Sequence, residues 1–218
     1  MKEEELQRSE SFLVAALLAL SGGLLDAYTY LSRGGVFANA ETGNIVLLGI
    51  HLARREWGAA RSYLAPILAF ALGVLAAELV KSRRFHWRHF TLGAEIVVLL
   101  AASLIPQGQL DGLVNIMVAF VCAMQVEAFR KVRGYAFATT MCTGNLRSGT
   151  EALYCGVLHR DRTLIEKGAC YYGVICCFIA GAALGTVLSG LFPQRAVLGA
   201  VVFQSAAFAA MITGEKRR

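Results

Sequence analysis

Charge is scarce in this chain. Of its 218 residues, 17% are Asp, Glu, Lys or Arg and 56% are hydrophobic, and the mean hydropathy is +0.55. A soluble domain carries about a quarter charged residues, so this composition excludes an ordinary soluble globule. Enzyme signatures are missing as well. There is no Gly-rich phosphate loop, no helical His-Glu-x-x-His and no Gly-x-Ser-x-Gly elbow, so no enzymatic activity is expected. The six cysteines, Cys122, Cys142, Cys155, Cys170, Cys176 and Cys177, form no pair at zinc-finger spacing. Most lie in or beside apolar runs and read as small buried apolar residues, so neither a metal nor a cofactor is expected. Prolines number only three. Pro66 falls near the start of an apolar run, where proline is tolerated, and Pro106 and Pro193 fall in turns. The first ten residues include Glu3, Glu4, Glu5 and Glu10. They lack the short basic region of a cleaved leader, so the first apolar run reads as a retained span.

What the chain has in plenty is long apolar runs. Six of them approach or reach the roughly 20 residues that cross a bilayer as a helix: Phe12 to Leu31, Leu64 to Val80, Phe90 to Ile105, Leu113 to Phe129, Ala169 to Leu191 and Ala196 to Ile212. Two shorter stretches lie between spans, Ile45 to Leu52 and Leu146 to Leu158. The expected fold is all-α, a polytopic membrane helical bundle. A net charge of +6 would suggest nucleic acid in a soluble protein. Here it reads as basic loops facing the cytoplasm, with the lipid bilayer as the main partner and no nucleic acid.

A polar element occurs twice. Asp26-Ala27-Tyr28, Phe37-Ala38 and Thr42-Gly43-Asn44 recur as Glu127-Ala128-Phe129, Phe137-Ala138 and Thr143-Gly144-Asn145. The outer triplets are both offset by 101 positions. Recurrence in order at a fixed spacing reads as an internal duplication.

Basic residues then choose between two topologies. With eight spans, Lys81 to Arg88 and Arg130 to Arg133 would face outward and the asymmetry of charge would largely vanish. With six spans and a cytoplasmic N-terminus, sixteen Lys and Arg lie inside and five outside. Six spans give each repeat three, so the second copy enters the membrane upside down, an inverted repeat. The two Thr-Gly-Asn stretches become short re-entrant or broken segments. Both termini would lie in the cytoplasm of a bacterial inner membrane protein. The expected divisions are a leader at 1–11, a first membrane repeat at 12–107, a second at 108–213 and a basic tail at 214–218.

Such segments are tolerated at membrane depth only where protein or a water-filled cavity covers them. Asp26 and Glu127 are costly in apolar surroundings unless paired, hydrated or protonated, and either could carry a proton or hold a cation. The alternative for Glu127 is a surface pair with nearby Arg130 or Lys131. Thr42, Gly43, Asn44, Thr143, Gly144 and Asn145 offer hydroxyls, amides and a permissive backbone to a small solute. If each triplet opens a half-helix, its free N–H groups favour an anionic group; a plain helix cap is the alternative. Tyr28 and Gln125 are further candidates for the cavity wall. Glu78 and Glu95 flank a basic loop and are expected to pair with it.

At Gly23-Leu24-Leu25-Asp26-Ala27-Tyr28, Val36 to Asn44, Met124-Gln125 and Thr139 to Leu146, the chain resembles the YoaK family of bacterial membrane proteins, a domain of unknown function. The resemblance covers most of the chain. It implies an inner-membrane location and no established substrate. Where that family's second half often reads Gln-Asn-Ala, this chain has Gln125-Val126-Glu127-Ala128. The expectation is a small secondary transporter or channel for a small polar or charged solute, proton-coupled through Asp26 and Glu127. A non-transporting sensor or assembly protein is the alternative. Whether the chain forms a homo-oligomer stays open.

Overall fold

A computed structural model describes residues 8–83, 86–137 and 139–215. The expected leader and basic tail fall partly outside the described residues, as do Arg84 in the first basic loop and Ala138 of the second repeat element. After a 3-10 turn at Arg8–Glu10 come eight helices: α1 (Phe12–Ser32), α2 (Glu41–Ala53), α3 (Trp57–Arg83), α4 (Trp87–Leu104), α5 (Asp111–Ala128), α6 (Cys142–Leu158), α7 (Arg162–Leu191) and α8 (Val197–Glu215). A two-residue hairpin, β1 (Lys131–Val132) with β2 (Tyr135–Ala136), sits between α5 and α6.

Among the described residues five helices, α1, α3, α4, α5 and α7, are long and apolar enough to cross a membrane. The sixth expected span is a shorter apolar helix, Val197–Thr213 within α8. At 1.5 Å per residue its 17 residues reach about 26 Å. Helix α3 begins seven residues before the apolar run, at Trp57, so Pro66 lies inside the helix and not near its start. A proline there removes one backbone hydrogen bond, which a membrane helix absorbs when neighbours satisfy the freed carbonyl.

Polarity is reversed relative to a soluble bundle. Leu68, Leu72, Leu75 and Leu79 run down one face of α3 and are 55–61% exposed. Asp26, Asn44, Glu95, Gln125 and Gln204 are buried. Exposed apolar stripes of this extent are lipid-facing surface.

The registers of contact fix the helix directions. Phe12 lies against Gly173, Leu20 against Gly181 and Leu24 against Gly185, so α1 and α7 run the same way. Their axes come very close: a Cβ at Gly185 would stand 2.7 Å from Leu24 O, and Cβ atoms at Gly23 or Gly181 would overlap the facing backbone. Phe120 lies against Gly73 and Glu127 beside Lys81, so α5 runs with α3. Helix α8 runs against α1, pairing Ser21 with Gln204 and Tyr28 with Gln194. Helix α4 runs against both α5 and α8, with Arg88 at Ala128 and Ser103 at Gln194. If α1, α4 and α7 point one way, α3, α5 and α8 point the other.

The short helices fold back on the long ones that follow. Helix α2 packs on α3 and α6 on α7, through turns that are closely alike. Arg55 (φ 58°) and Arg160 (φ 51°) each take the left-handed conformation that ends a helix. Asp161 then caps α7, accepting from the N–H groups of Thr163 and Leu164. Hydrogen bonds from Thr163 hold the Asp161 carboxyl below the usual carboxylate range.

Candidate functional site

Gly22 is the eleventh of the 21 residues of α1, and both linkers return to it. The first, between α1 and α2, sets Asn39 there: its Nδ2 donates to Gly22 O at 3.3 Å. The second, between α5 and α6, sets Thr140 there: a Cβ on Gly22 would stand 2.5 Å from the Thr140 methyl carbon. A side chain at this position would push the second linker away.

Asp26 sits one turn further along α1 and is 6% exposed. Its Oδ1 accepts the Asn39 backbone N–H at 2.7 Å, and the N–H groups of Ala38 and Ala40 also bond to the carboxyl. These amides immediately precede α2. The anionic group that a helix N-terminus attracts is thus supplied by the chain itself. Glu41, at the start of α2, lies near Asp26. Cys122 of α5 has Asn39 beside it and feels the charges of Glu95, Asp26 and the partly buried Glu41.

The first Thr-Gly-Asn triplet lies within the opening turn of α2 and does not cap it: Ala40 is the cap residue and no side chain bonds there. Asn44 is fully buried and holds the linker. Its Oδ1 accepts from Phe37 N at 3.1 Å, and its Nδ2 donates to Phe37 O at 2.8 Å and to Glu41 Oε2 at 3.1 Å. Gly43 lets the Phe37 ring lie against the turn, 3.0 Å from where a Cβ would be. Thr42 is exposed. In the second copy Asn145 is buried, while Thr143 and Gly144 are exposed. Met141 is the uncapped residue before α6.

The two acids at matching sequence positions occupy unlike places. Glu127 lies at the end of α5, its carboxylate 3.1 Å from Arg130 and 3.5 Å from Lys81. It is held in the surface pair that its neighbours in sequence allowed. Tyr28 is buried and serves the opposite end of the bundle, where its hydroxyl accepts from Arg33 Nε at 2.7 Å.

Two functional candidates escaped the sequence. Glu95 does not pair with the basic loop; it is fully buried, as is Gln125. The Gln125 amide lies 3.1 and 3.2 Å from the two Glu95 oxygens and 3.2 Å from Thr139 Oγ1. Oriented so that all three contacts are satisfied, its NH2 donates to Glu95 and its carbonyl accepts from Thr139. Gln204 of α8 reaches the same carboxyl and donates to Ser21 Oγ of α1 at 3.0 Å. The signal was in the pattern: Thr91, Leu92, Glu95, Leu99 and Ala102 form the buried face of α4 at helical spacing. Arg33 is the second candidate, a fully buried cation bonded to Asp111, to Tyr28 and to the carbonyls of Ile105 and Pro106.

A multi-pass bundle with apolar outer faces and polar side chains turned inward is a helical membrane protein, in contact with lipid over much of its surface. The chain belongs to the DUF1275 family of proteins of unknown function, whose pattern matches residues 14–212. It is 28% identical over 141 residues to the UPF0700 transmembrane protein YoaK of Bacillus subtilis (strain 168). That match covers 61% of this chain and 63% of YoaK, so it spans somewhat less than two thirds of that relative. No solved structure matches.

Proposed function

We propose that this chain is a small secondary transporter for a small polar or charged solute, driven by protons, with its site at mid-membrane between two inverted repeats. The observation that carries the reading is the return of both linkers to Gly22, bringing Asn39 and Thr140 to one turn of α1 beside buried Asp26. A globular packing device does not need two chain segments to turn back at membrane depth, where irregular backbone is costly. Opposed directions of α1 and α5, of α3 and α7, and of α4 and α8 support the inverted duplication, as does the shared turn at Arg55 and Arg160. On this reading α2 and α6 are re-entrant half-helices that leave the centre toward opposite faces. The end of the bundle holding Lys81, Arg88, Arg130, Arg162 and Lys167 lies in the cytoplasm with both termini.

The arrangement described is the closed state. Asn44, Asn145, Gln125 and Asp26 are all buried, and the exposed Thr42 and Thr143 hydroxyls stand where half-helices would meet solute on opening. Rocking one repeat against the other would open the buried groups to each face in turn. The full commitment of the Asn44 amide to Phe37 and Glu41 favours, as a second reading, a protein whose triplets only lock the linkers.

Purified protein in liposomes with a trapped pH dye tests the first reading. Sodium, potassium, glycine or succinate added outside should, for at least one probe, drive proton movement that Asp26→Asn abolishes. A folded preparation that responds to none of them contradicts it.

A further inference from the structure

We infer that Glu95 is a further proton-binding group of the membrane core, protonated while the interior is closed and ionised when α4 parts from α5 and α8. The inference rests on the transporter reading only for the use made of the proton.

Glu95 is fully buried at the ninth position of α4, about 12 Å along the helix from its start. Its polar contacts both come from the other half of the chain: Gln125 on α5 and Gln204 on α8. Each amide is held in turn by a second group, Thr139 in the linker to α6 and Ser21 in α1. One carboxyl therefore joins α1, α4, α5, α8 and the second linker.

Among the described residues, the polar and titratable groups brought to it are Gln125 and Cys122 from α5 and Gln204 from α8. None of these is a Lys, Arg or His. An ionised carboxylate without a counter-charge is among the costliest groups to bury; the neutral acid removes that cost. Gln204 occupies nearly the same place in α8 as Glu95 in α4. If α4 and α8 are matching helices, the position carries an acid in one copy and an amide in the other, which leaves one exchangeable proton at this contact. The step is an acid dissociation. The Glu95 O–H bond breaks, its electron pair stays on the carboxylate, and the proton passes to water admitted when the helices separate.

Infrared spectroscopy of the protein in lipid films at neutral pH tests this without transport. The wild type should show the C=O band of a protonated carboxylic acid, and Glu95→Gln should lose it, with Asp26→Asn and Glu41→Gln as controls for the other interior acids. If Glu95→Gln does not fold, Glu41→Gln protein carrying 13C-carboxyl glutamate shows through the isotope shift whether the band belongs to a glutamate, and Glu95 is the one buried glutamate left among the described residues. No acid band in the wild type, or an unchanged band in Glu95→Gln, overturns the inference. A band lost in Glu95→Gln with proton-driven flux intact would leave the proton on Glu95 and remove it from transport.

Discussion

Arg33 and Asp111 are joined by a 2.8 Å ion pair in which the guanidinium is wholly buried and the carboxylate is 22% exposed. Arg33 has just left α1 and Asp111 opens α5, so the pair ties the end of α1 to the start of α5. The same guanidinium bonds the carbonyls of Ile105 and Pro106 and the Tyr28 hydroxyl, which closes the α4–α5 turn beneath it. Removing one partner of a buried pair costs about 3–5 kcal/mol. Arg33→Gln should therefore lower the melting temperature in detergent strongly, and Asp111→Asn less. Arg33→Lys should not rescue, because a lysine cannot reproduce the planar fork. Equal stability of Arg33→Lys and wild type would show that the fork geometry is dispensable.

The α1–α7 contact depends on missing side chains. Gly181→Leu would force a side chain into the backbone of Leu20, and overpacking of this kind costs about 1–3 kcal/mol. Gly190→Ala, on the same helix but with open space around it, should melt like the wild type. If both variants behave alike, the close approach of the two helices is wrong.

Asn44 and Thr42 separate anchoring from solute contact. Asn44→Ala leaves the Phe37 N–H and C=O without partners and should destabilise by about 1–3 kcal/mol. Asn44→Asp should be no better, since a carboxylate cannot donate to Phe37 O and faces Glu41. Thr42→Ala should leave thermal stability near wild type while lowering flux in liposomes. A Thr42→Ala protein with full flux would support the reading in which the triplets only hold the linkers.

The chain's apolar helices were legible because lipid demands long apolar runs. Helix α1 falls within one residue and α5 within two of the runs that predicted them, and α3 and α7 extend further because their polar first turns continue the helix. Glu127 shows where sequence matching stops. It aligns with Asp26, but three residues before Arg130 it is drawn into a surface pair. The buried polar contact on α5 is made by Gln125 instead. Glu95 was obscured by its nearness in sequence to a basic loop, although helix α4 starts at Trp87 and carries it two turns into the core. Arg33 reads as an exposed loop charge until the α4–α5 turn folds over it.

The inverted arrangement itself is tested most directly at the two matching turns. With the six native cysteines replaced, single cysteines at Arg55 and Arg160 can be labelled with a membrane-impermeant maleimide in intact bacterial cells or spheroplasts. The account predicts that Arg55→Cys reacts from outside and that Arg160→Cys reacts only after the membrane is opened. Labelling of both from the same side would contradict it.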